Sequence, residues 1–121
     1  MSYCGYLVPD GVRSSLESQF PFKFGRVLGH HVTEHMGHIR ESDDCERLRT
    51  IRIEAYTVTD GIEAFVVSVD NCVVRPDGKF YHITWSLDPK VFKPVDANQL
   101  VIHKKGELVT ALQFRATLEQ F

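Results

Sequence analysis

Two short segments of the chain carry the same arrangement of a histidine, an aliphatic residue and a threonine. They are His31-Val32-Thr33 and His82-Ile83-Thr84. Because successive side chains of a β-strand point to opposite faces, each histidine is expected to share a face with the threonine two residues later. An imidazole can act as base or acid near neutral pH, and a threonine hydroxyl can bind a phosphate oxygen. The two segments therefore predict phosphodiester cleavage without a metal, in which one histidine takes a proton and the other protonates the departing oxygen.

A repeated His-x-Thr on two β-strands resembles the signature of the two-histidine (2H) phosphoesterase superfamily, which includes RNA 2′,3′-cyclic phosphodiesterase and RNA ligase-like proteins. Gly37 follows the first threonine, as is frequent in the family, and a strand over residues 5–8 followed by a helix is similar to the family's start. The resemblance covers most of the chain up to about Ser86. It implies two catalytic histidines and two phosphate-binding threonines: His31, His82, Thr33 and Thr84.

The resemblance also implies an architecture, in which two small α/β lobes related by a pseudo-twofold axis enclose the active cleft. The chain departs from the family pattern in three respects. The two histidines are 51 residues apart, which is a short separation, and Glu34 stands where an apolar residue is usual. A second helix between the motifs is not evident.

Aromatic and basic residues near the motifs are candidates for contacts with the rest of a substrate. Trp85 lies on the opposite strand face from His82, which favours packing in the core, although a curved sheet would let Trp85 or Tyr6 stack on a base. Lys93 follows the second motif in an irregular segment, from which it can reach a ligand phosphate. We therefore expect Tyr6, Trp85 and Lys93 to take part in substrate binding.

Other functions fit the same residues. A non-catalytic module could hold a nucleotide or phosphorylated ligand in this cleft, because the groups that bind a phosphodiester are those that cleave it. On a helix, His31, His35 and His38 would share a face and could bind zinc. The β-branched Val32 and Thr33 disfavour that helix, so we expect neither a metal nor another cofactor. A purely structural or interaction domain is the weakest alternative.

Length and charge limit the class of protein. A chain of 121 residues predicts one domain, residues 1–121. A net charge of -2 argues against binding long duplex nucleic acid and leaves a small nucleotide or short oligonucleotide as the expected substrate. Three cysteines without Cys-x-x-Cys spacing fit neither a complete disulfide framework nor a four-thiolate zinc site. This cysteine usage favours a reducing cytosol, and we expect a cytoplasmic monomer. Because no segment approaches the roughly 18 apolar residues of a membrane span, we expect no membrane partner.

The elements that must position the motifs can be read from hydrophobic periodicity. Apolar residues at every fourth position from Val12 predict a helix that ends at Pro21, and residues 38–46 form a predicted loop. Alternating and β-branched runs predict the strands, which cover residues 3–8, 25–33, 48–59, 62–69, 72–75, 80–87 and 108–118. The predicted fold class is α+β, mostly antiparallel sheet with one early helix, in a compact bilobal arrangement with a central cleft.

Overall fold

A computed structural model describes residues 2–99 and 112–121 of the chain. The helix α1 covers Asp10–Gln19, and Pro94–Asp96 form a turn of 3-10 helix. The strands are β1 (Tyr3–Leu7), β2 (Arg26–Val27), β3 (His31–Met36), β4 (Arg49–Thr59), β5 (Ile62–Val69), β6 (His82–Leu87), β7 (Gln113–Ala116) and β8 (Glu119–Gln120). Every strand pair among them is antiparallel, which confirms an α+β fold built mostly of antiparallel sheet.

The strands form two hydrogen-bonded ladders that carry one His-x-Thr motif each. The first has the order β3-β1-β8 and contains His31 and Thr33, and the second has the order β2-β6-β5-β4-β7 and contains His82 and Thr84. The two motif strands, β3 and β6, contact each other although they belong to different ladders. The two His-x-Thr motifs therefore lie at the junction of the two ladders.

The segment between β2 and β3 makes that junction. The amide of Gly29 donates to the carbonyl of Thr84 on β6 at 2.9 Å, and the carbonyl of the next residue, His30, accepts from the amide of Val8 after β1 at 2.9 Å. Gly29 has a φ of +73°, in the left-handed region that favours glycine, and a Cβ there would lie 2.6 Å from the Trp85 ring. The predicted strand 25–33 is thus divided at Gly29, and the sheet surface curls across the division.

Helix α1 covers the core face of this curled surface. Leu16 is fully buried in the core, as its place in the four-residue spacing predicts. The Arg13 guanidinium donates to the carbonyl of Leu28 at 2.9 Å and ties the helix to the segment between β2 and β3. The core beneath the helix is made of fully buried aromatic and aliphatic side chains, among them Tyr6, Val32, Ile53, Phe65, Val67, Ile83 and Trp85.

Of the predicted strands 72–75 and 80–87, only the second forms a strand, β6, in the structure. Residues 72–75 form isolated bridges instead of a strand, with Val74 opposite Phe80. Asp70 and Asn71 have positive φ values of 48° and 69°, so the chain turns sharply directly after β5 and leaves the ladder. Of the predicted last strand, residues 113–116 form β7, while residues 108–111 lie outside the described part of the chain.

The hairpin of β4 and β5 is the longest pairing and confirms the prediction for residues 48–69. Residues 37–48 connect β3 to β4 as an irregular loop, which also agrees with the prediction for residues 38–46. Within residues 2–99 and 112–121, we find no helix whose length and apolar character would let it cross a membrane.

Candidate functional site

A cavity of about 440 Å³ lies where β3 and β6 meet. Its wall contains both histidines and both threonines of the repeated motif, namely His31, Thr33, His82 and Thr84. Strand periodicity puts each histidine on the same face as its threonine, and the curl of the sheet turns the two faces toward one space. The structure thus brings together the four side chains that the sequence singled out.

His31 is held by contacts on both edges and one face of its ring. The ring stacks on Tyr3 with 4.4 Å between centroids and an interplanar angle of 27°. Its Nε2 lies 3.1 Å from the Thr33 hydroxyl, and its Nδ1 lies 3.1 Å from Nδ1 of His30. Burial, assisted by His30 and His82, lowers the pKa of His31 to about 4. His31 is therefore a neutral imidazole at neutral pH.

His82 is more deeply enclosed, with only 9% of its surface exposed. Its Nδ1–H donates to the carbonyl of Phe80 at 3.0 Å, which leaves Nε2 as the ring's acceptor in the neutral form. Burial lowers the pKa of His82, and the positive charges of Arg75 and Lys79 lower it further against the opposing effect of the Phe80 hydrogen bond. The orientation and the protonation state both suit a base.

The two threonine hydroxyls differ in their partners. Thr33 contacts the imidazole of its own motif, whereas Thr84 donates to the carbonyl of Pro94 at 3.4 Å. A separation of 3.4 Å is long for a hydrogen bond from a hydroxyl, so the Thr84 hydroxyl can rotate toward a ligand at little cost. The Thr84 hydroxyl is consequently available as a donor to a phosphate oxygen, and the Thr33 hydroxyl is available when it accepts the hydrogen of His31 Nε2–H.

Three cationic side chains also belong to the cavity wall: Arg26 of β2, and Arg75 and Lys79 of the turn before β6. The Arg75 side chain is only 4% exposed and pairs with Asp77 at 2.5 Å, which fixes its position. Among the described residues of the wall, none is acidic. The Asp77 carboxylate offsets the charge of Arg75, so Arg26 and Lys79 are the main source of positive charge on the wall and suit the cavity to an anion. The His-x-Thr pattern alone does not indicate these cations, although Arg75 and Lys79 flank the Pro-Asp-Gly turn close before the second motif.

Three residues that were expected to contact a substrate do not line the cavity. Trp85 is fully buried, and its Nε1–H donates to the carbonyl of Phe20 at 2.9 Å. Tyr6 is 1% exposed, with its hydroxyl 3.3 Å from the Arg49 guanidinium. Neither ring lines the cavity, because the strand alternation turns both into the core. Lys93 is exposed and lies outside the cavity wall.

The aromatic surface beside the cavity comes instead from the first strand and the chain end. Tyr3 lines the cavity, and its ring stacks on Phe121 with 5.3 Å between centroids. His30 also lines the cavity and meets the Phe121 ring edge to face at 5.3 Å. These rings give the cavity an apolar edge.

A β-bulge in β3 separates the histidines of the first motif segment. Gly5 of β1 pairs with Thr33 and Cys4 pairs with His35, so Glu34 is the extra residue. His31 and Thr33 consequently line the cavity, whereas His35 lies on the other side of the strand. His38, in the loop after β3, is exposed. The zinc site considered for His31, His35 and His38 is not assembled, because the segment is a bulged strand and not a helix.

The site therefore combines two neutral imidazoles, two hydroxyls and three cations around a space of about 440 Å³. Comparison of the chain with protein-family models, with curated proteins and with solved structures gave no match. The chemistry of these side chains is accordingly the basis on which a function can be proposed.

Proposed function

We propose that this cavity binds a phosphodiester of a nucleotide or short oligonucleotide and hydrolyses it without a metal ion. The class of substrate comprises 2′,3′-cyclic phosphates, 2′,5′ linkages and cyclic nucleotide signals. The observation that carries the proposal is the lining of one cavity by both His-x-Thr motifs. The absence of acidic side chains from the described part of its wall, beside three cations, is the electrostatic support for an anionic substrate.

In this proposal the two histidines perform the proton transfers. His82 acts as base through Nε2, because Phe80 holds the ring's proton on Nδ1. It takes a proton from water or a ribose hydroxyl, whose oxygen then bonds to phosphorus. His31 protonates the oxygen that leaves phosphorus as the other P–O bond breaks. The threonines and the cations stabilise the charge on the remaining phosphate oxygens.

The acid needs a proton that the free protein does not hold at neutral pH. Burial keeps His31 neutral, with a pKa of about 4. A phosphodiester anion beside the ring favours the charged imidazolium and opposes the effect of burial. Substrate binding therefore draws one proton onto His31, and the acid is formed only when there is a phosphate to cleave.

We also propose that the two ladders correspond to the two lobes of the 2H phosphoesterase arrangement. The support is that each ladder supplies one motif strand, β3 or β6, to the space between them. The lobes would be compact, since α1 is the helix that covers the sheet in the described part of the chain before β6.

The direct test is turnover of the three substrate classes in the presence of EDTA. We expect turnover that persists in EDTA and is abolished by His31→Ala and by His82→Ala. His38→Ala serves as matched control, because His38 is an exposed histidine of the same segment outside the cavity wall and its removal should leave the rate unchanged. Turnover that appears only with added zinc, or that survives both histidine substitutions, would overturn the proposal.

One observation supports a second candidate, a module that binds a phosphorylated ligand without cleaving it. Burial lowers the pKa of both His31 and His82, so neither holds a transferable proton at neutral pH before the ligand binds. If the bound phosphate does not raise the pKa of either histidine to near neutral pH, neither histidine can protonate the leaving oxygen. The cavity then holds its ligand intact. Recovery of an unaltered ligand from a tight complex after long incubation distinguishes this function from hydrolysis.

A further inference from the structure

A second cluster of reactive side chains lies across β3 from the cavity. It consists of Cys4, His35 and Asp43, whose ligand atoms all lie within 4.8 Å of one another. Cys4 is fully buried, His35 is 7% exposed, and the two residues are direct cross-strand partners on β1 and β3. The cluster is thus built on two paired strands and is largely buried, with an opening to solvent at the Asp43 side chain, which is 13% exposed.

The hydrogen bonds around the cluster orient its atoms as they would be oriented around a metal. The Nδ1–H of His35 donates to the carbonyl of Met36 at 2.9 Å, which leaves Nε2 to face the cluster. The carboxylate of Asp43 accepts the amide of Arg40 at 2.7 Å. Metal-bound histidines typically donate their second ring nitrogen to a backbone carbonyl or carboxylate, and metal-bound carboxylates are themselves hydrogen-bonded.

A hydrolytic Cys-His-Asp arrangement does not account for the contacts. The Cys4 thiol contacts the carbonyl of Gly37 at 3.4 Å, whereas Nε2 of His35 contacts Asp43 at 2.8 Å. To act as the base for the thiol, His35 would have to accept the thiol proton at Nε2. In the structure this nitrogen faces the Asp43 carboxylate instead. Full burial of Cys4 also denies a substrate access to its sulfur.

We propose that Cys4 Sγ, His35 Nε2 and the Asp43 carboxylate bind one divalent transition-metal ion of the Zn²⁺ type, with water in the fourth position. A set of one sulfur, one nitrogen and one oxygen ligand suits zinc. Ideal tetrahedral bonds place such ligand atoms about 3.3–3.6 Å apart. When the ion binds, the 2.8 Å distance between His35 Nε2 and the Asp43 carboxylate would lengthen slightly. The wider distances between ligand atoms, up to 4.8 Å, would shorten.

The consequence for the fold is a link between the sheet and a long loop. Asp43 belongs to residues 37–48, which connect β3 to β4 without a strand or helix. A loop of this length gains order when an ion ties its middle to the sheet. The proposed ion would act on the fold and not on the substrate of the cavity, because it lies on the side of β3 that faces away from the cavity.

The experiment adds Co²⁺ and then Zn²⁺ to the reduced full-length chain. We expect one Co²⁺ per chain, tetrahedral visible absorption and a sulfur-to-cobalt charge-transfer band, with displacement by Zn²⁺ and a higher melting temperature. Cys4→Ser should abolish the charge-transfer band, and Asp43→Asn should weaken Zn²⁺ binding at least tenfold. If Cys4→Ser does not fold, the wild-type spectrum and the Asp43→Asn titration still decide the question.

Two substitutions serve as matched controls. Asp44→Asn changes the neighbouring carboxylate, whose Oδ1 accepts backbone amides of the loop, and Cys72→Ser removes an exposed thiol elsewhere. Both should bind Zn²⁺ as the wild type does. Absence of the charge-transfer band from the wild type, or equal affinities in Asp43→Asn and Asp44→Asn, would show that Asp43 and His35 form only an ion pair.

Discussion

Nε2 of His31 lies 3.1 Å from the hydroxyl of Thr33, so the two polar residues of the first motif are hydrogen-bonded to each other. The second motif is bonded differently, because His82 donates to the carbonyl of Phe80 and Thr84 donates to a carbonyl outside its own strand. Identical sequence motifs therefore have unequal local structures. The inequality gives a physical reason for assigning the acid to one motif and the base to the other.

Replacing Thr33 by valine should impair catalysis more than the same change at Thr84. Thr33→Val removes a phosphate donor and also the hydroxyl that orients the His31 ring, so we expect kcat/KM to fall roughly 100-fold. Thr84→Val removes a donor alone, and a fall of about tenfold is expected. Initial rates on the substrate that the wild type cleaves measure both effects.

The control for this comparison is Thr33→Ser, which keeps the hydroxyl and should restore most of the rate. Equal losses at Thr33 and Thr84 would contradict an orienting role for the Thr33 hydroxyl.

The pH profile of kcat/KM should have its maximum on the acid side of pH 6.5. This parameter reports the groups of the free protein, in which burial lowers the pKa of His31 to about 4 and also lowers the pKa of His82. A base works above its pKa and an acid below its pKa, so both limbs shift downward from the usual value of about 6.5. Steady-state rates between pH 3.5 and about 8 locate the limbs.

Lys79→Gln tests the cause of the shift at His82. Removal of this positive charge raises the pKa of His82, so the limb that His82 sets should move to higher pH. Lys23→Gln is a suitable control, because the Lys23 ammonium lies over the Tyr56 ring, 5.6 Å from its centroid, and does not line the cavity. A profile that Lys79→Gln leaves unmoved would rule out this electrostatic contribution.

His31 should also make stability depend on pH. Its pKa is about 4 in the folded protein against about 6.5 in the unfolded chain, so between these values the unfolded chain binds a proton that the folded chain does not. The free energy of unfolding therefore decreases as the pH falls from about 6.5 to about 4, by at most about 3 kcal/mol from this group. Urea unfolding at the two ends of the window measures the decrease.

His31→Gln should reduce this dependence, because glutamine does not titrate, and the lowered pKa of His82 accounts for part of what remains. His38→Gln provides the comparison. Because His38 is exposed, this variant should show the same dependence of the free energy of unfolding on pH as the wild type. The interpretation fails if the slope is the same in His31→Gln as in the wild type.

The sequence was sufficient for those features that depend on local periodicity. The alternation through residues 48–69 predicted the β4–β5 hairpin, and the spacing of Val12 and Leu16 predicted α1. The pairing of each motif histidine with its threonine on one face follows from the strand period in the same way. That both faces meet in one cavity depends on the curl of the sheet at Gly29, which the residue pattern alone did not indicate.

Features that depend on distant contacts were not predicted. Arg75 and Lys79, on the turn before β6, line the cavity, whereas their residue types alone would have suggested solvated side chains. By sequence, Trp85 is favoured as a core residue but could also be a stacking platform, and the packing of the structure places it in the core. The cluster at His35 escaped notice because strict alternation places His35 on the face of His31.

The close approach of β1 to the β3 bulge gives a prediction about stability. A Cβ added at Gly5 would lie 2.2 Å from the carbonyl oxygen of Val32, well inside the contact distance of the two atoms. Because the obstacle is backbone, β1 and β3 must move apart, and Gly5→Ala should lower the free energy of unfolding by at least about 2 kcal/mol. Urea unfolding of the two proteins measures the difference.

Gly11→Ala is the matched control for this substitution. Gly11 lies in α1, and a Cβ there meets nothing within 4 Å among the described residues, so alanine should raise the free energy of unfolding by about 0.5–1 kcal/mol. Wild-type stability in Gly5→Ala would mean that β1 and β3 can separate freely. The bulge would then not be rigid enough to hold His31 toward the cavity and His35 toward Cys4, so the same measurement tests the scaffold on which both proposed sites depend.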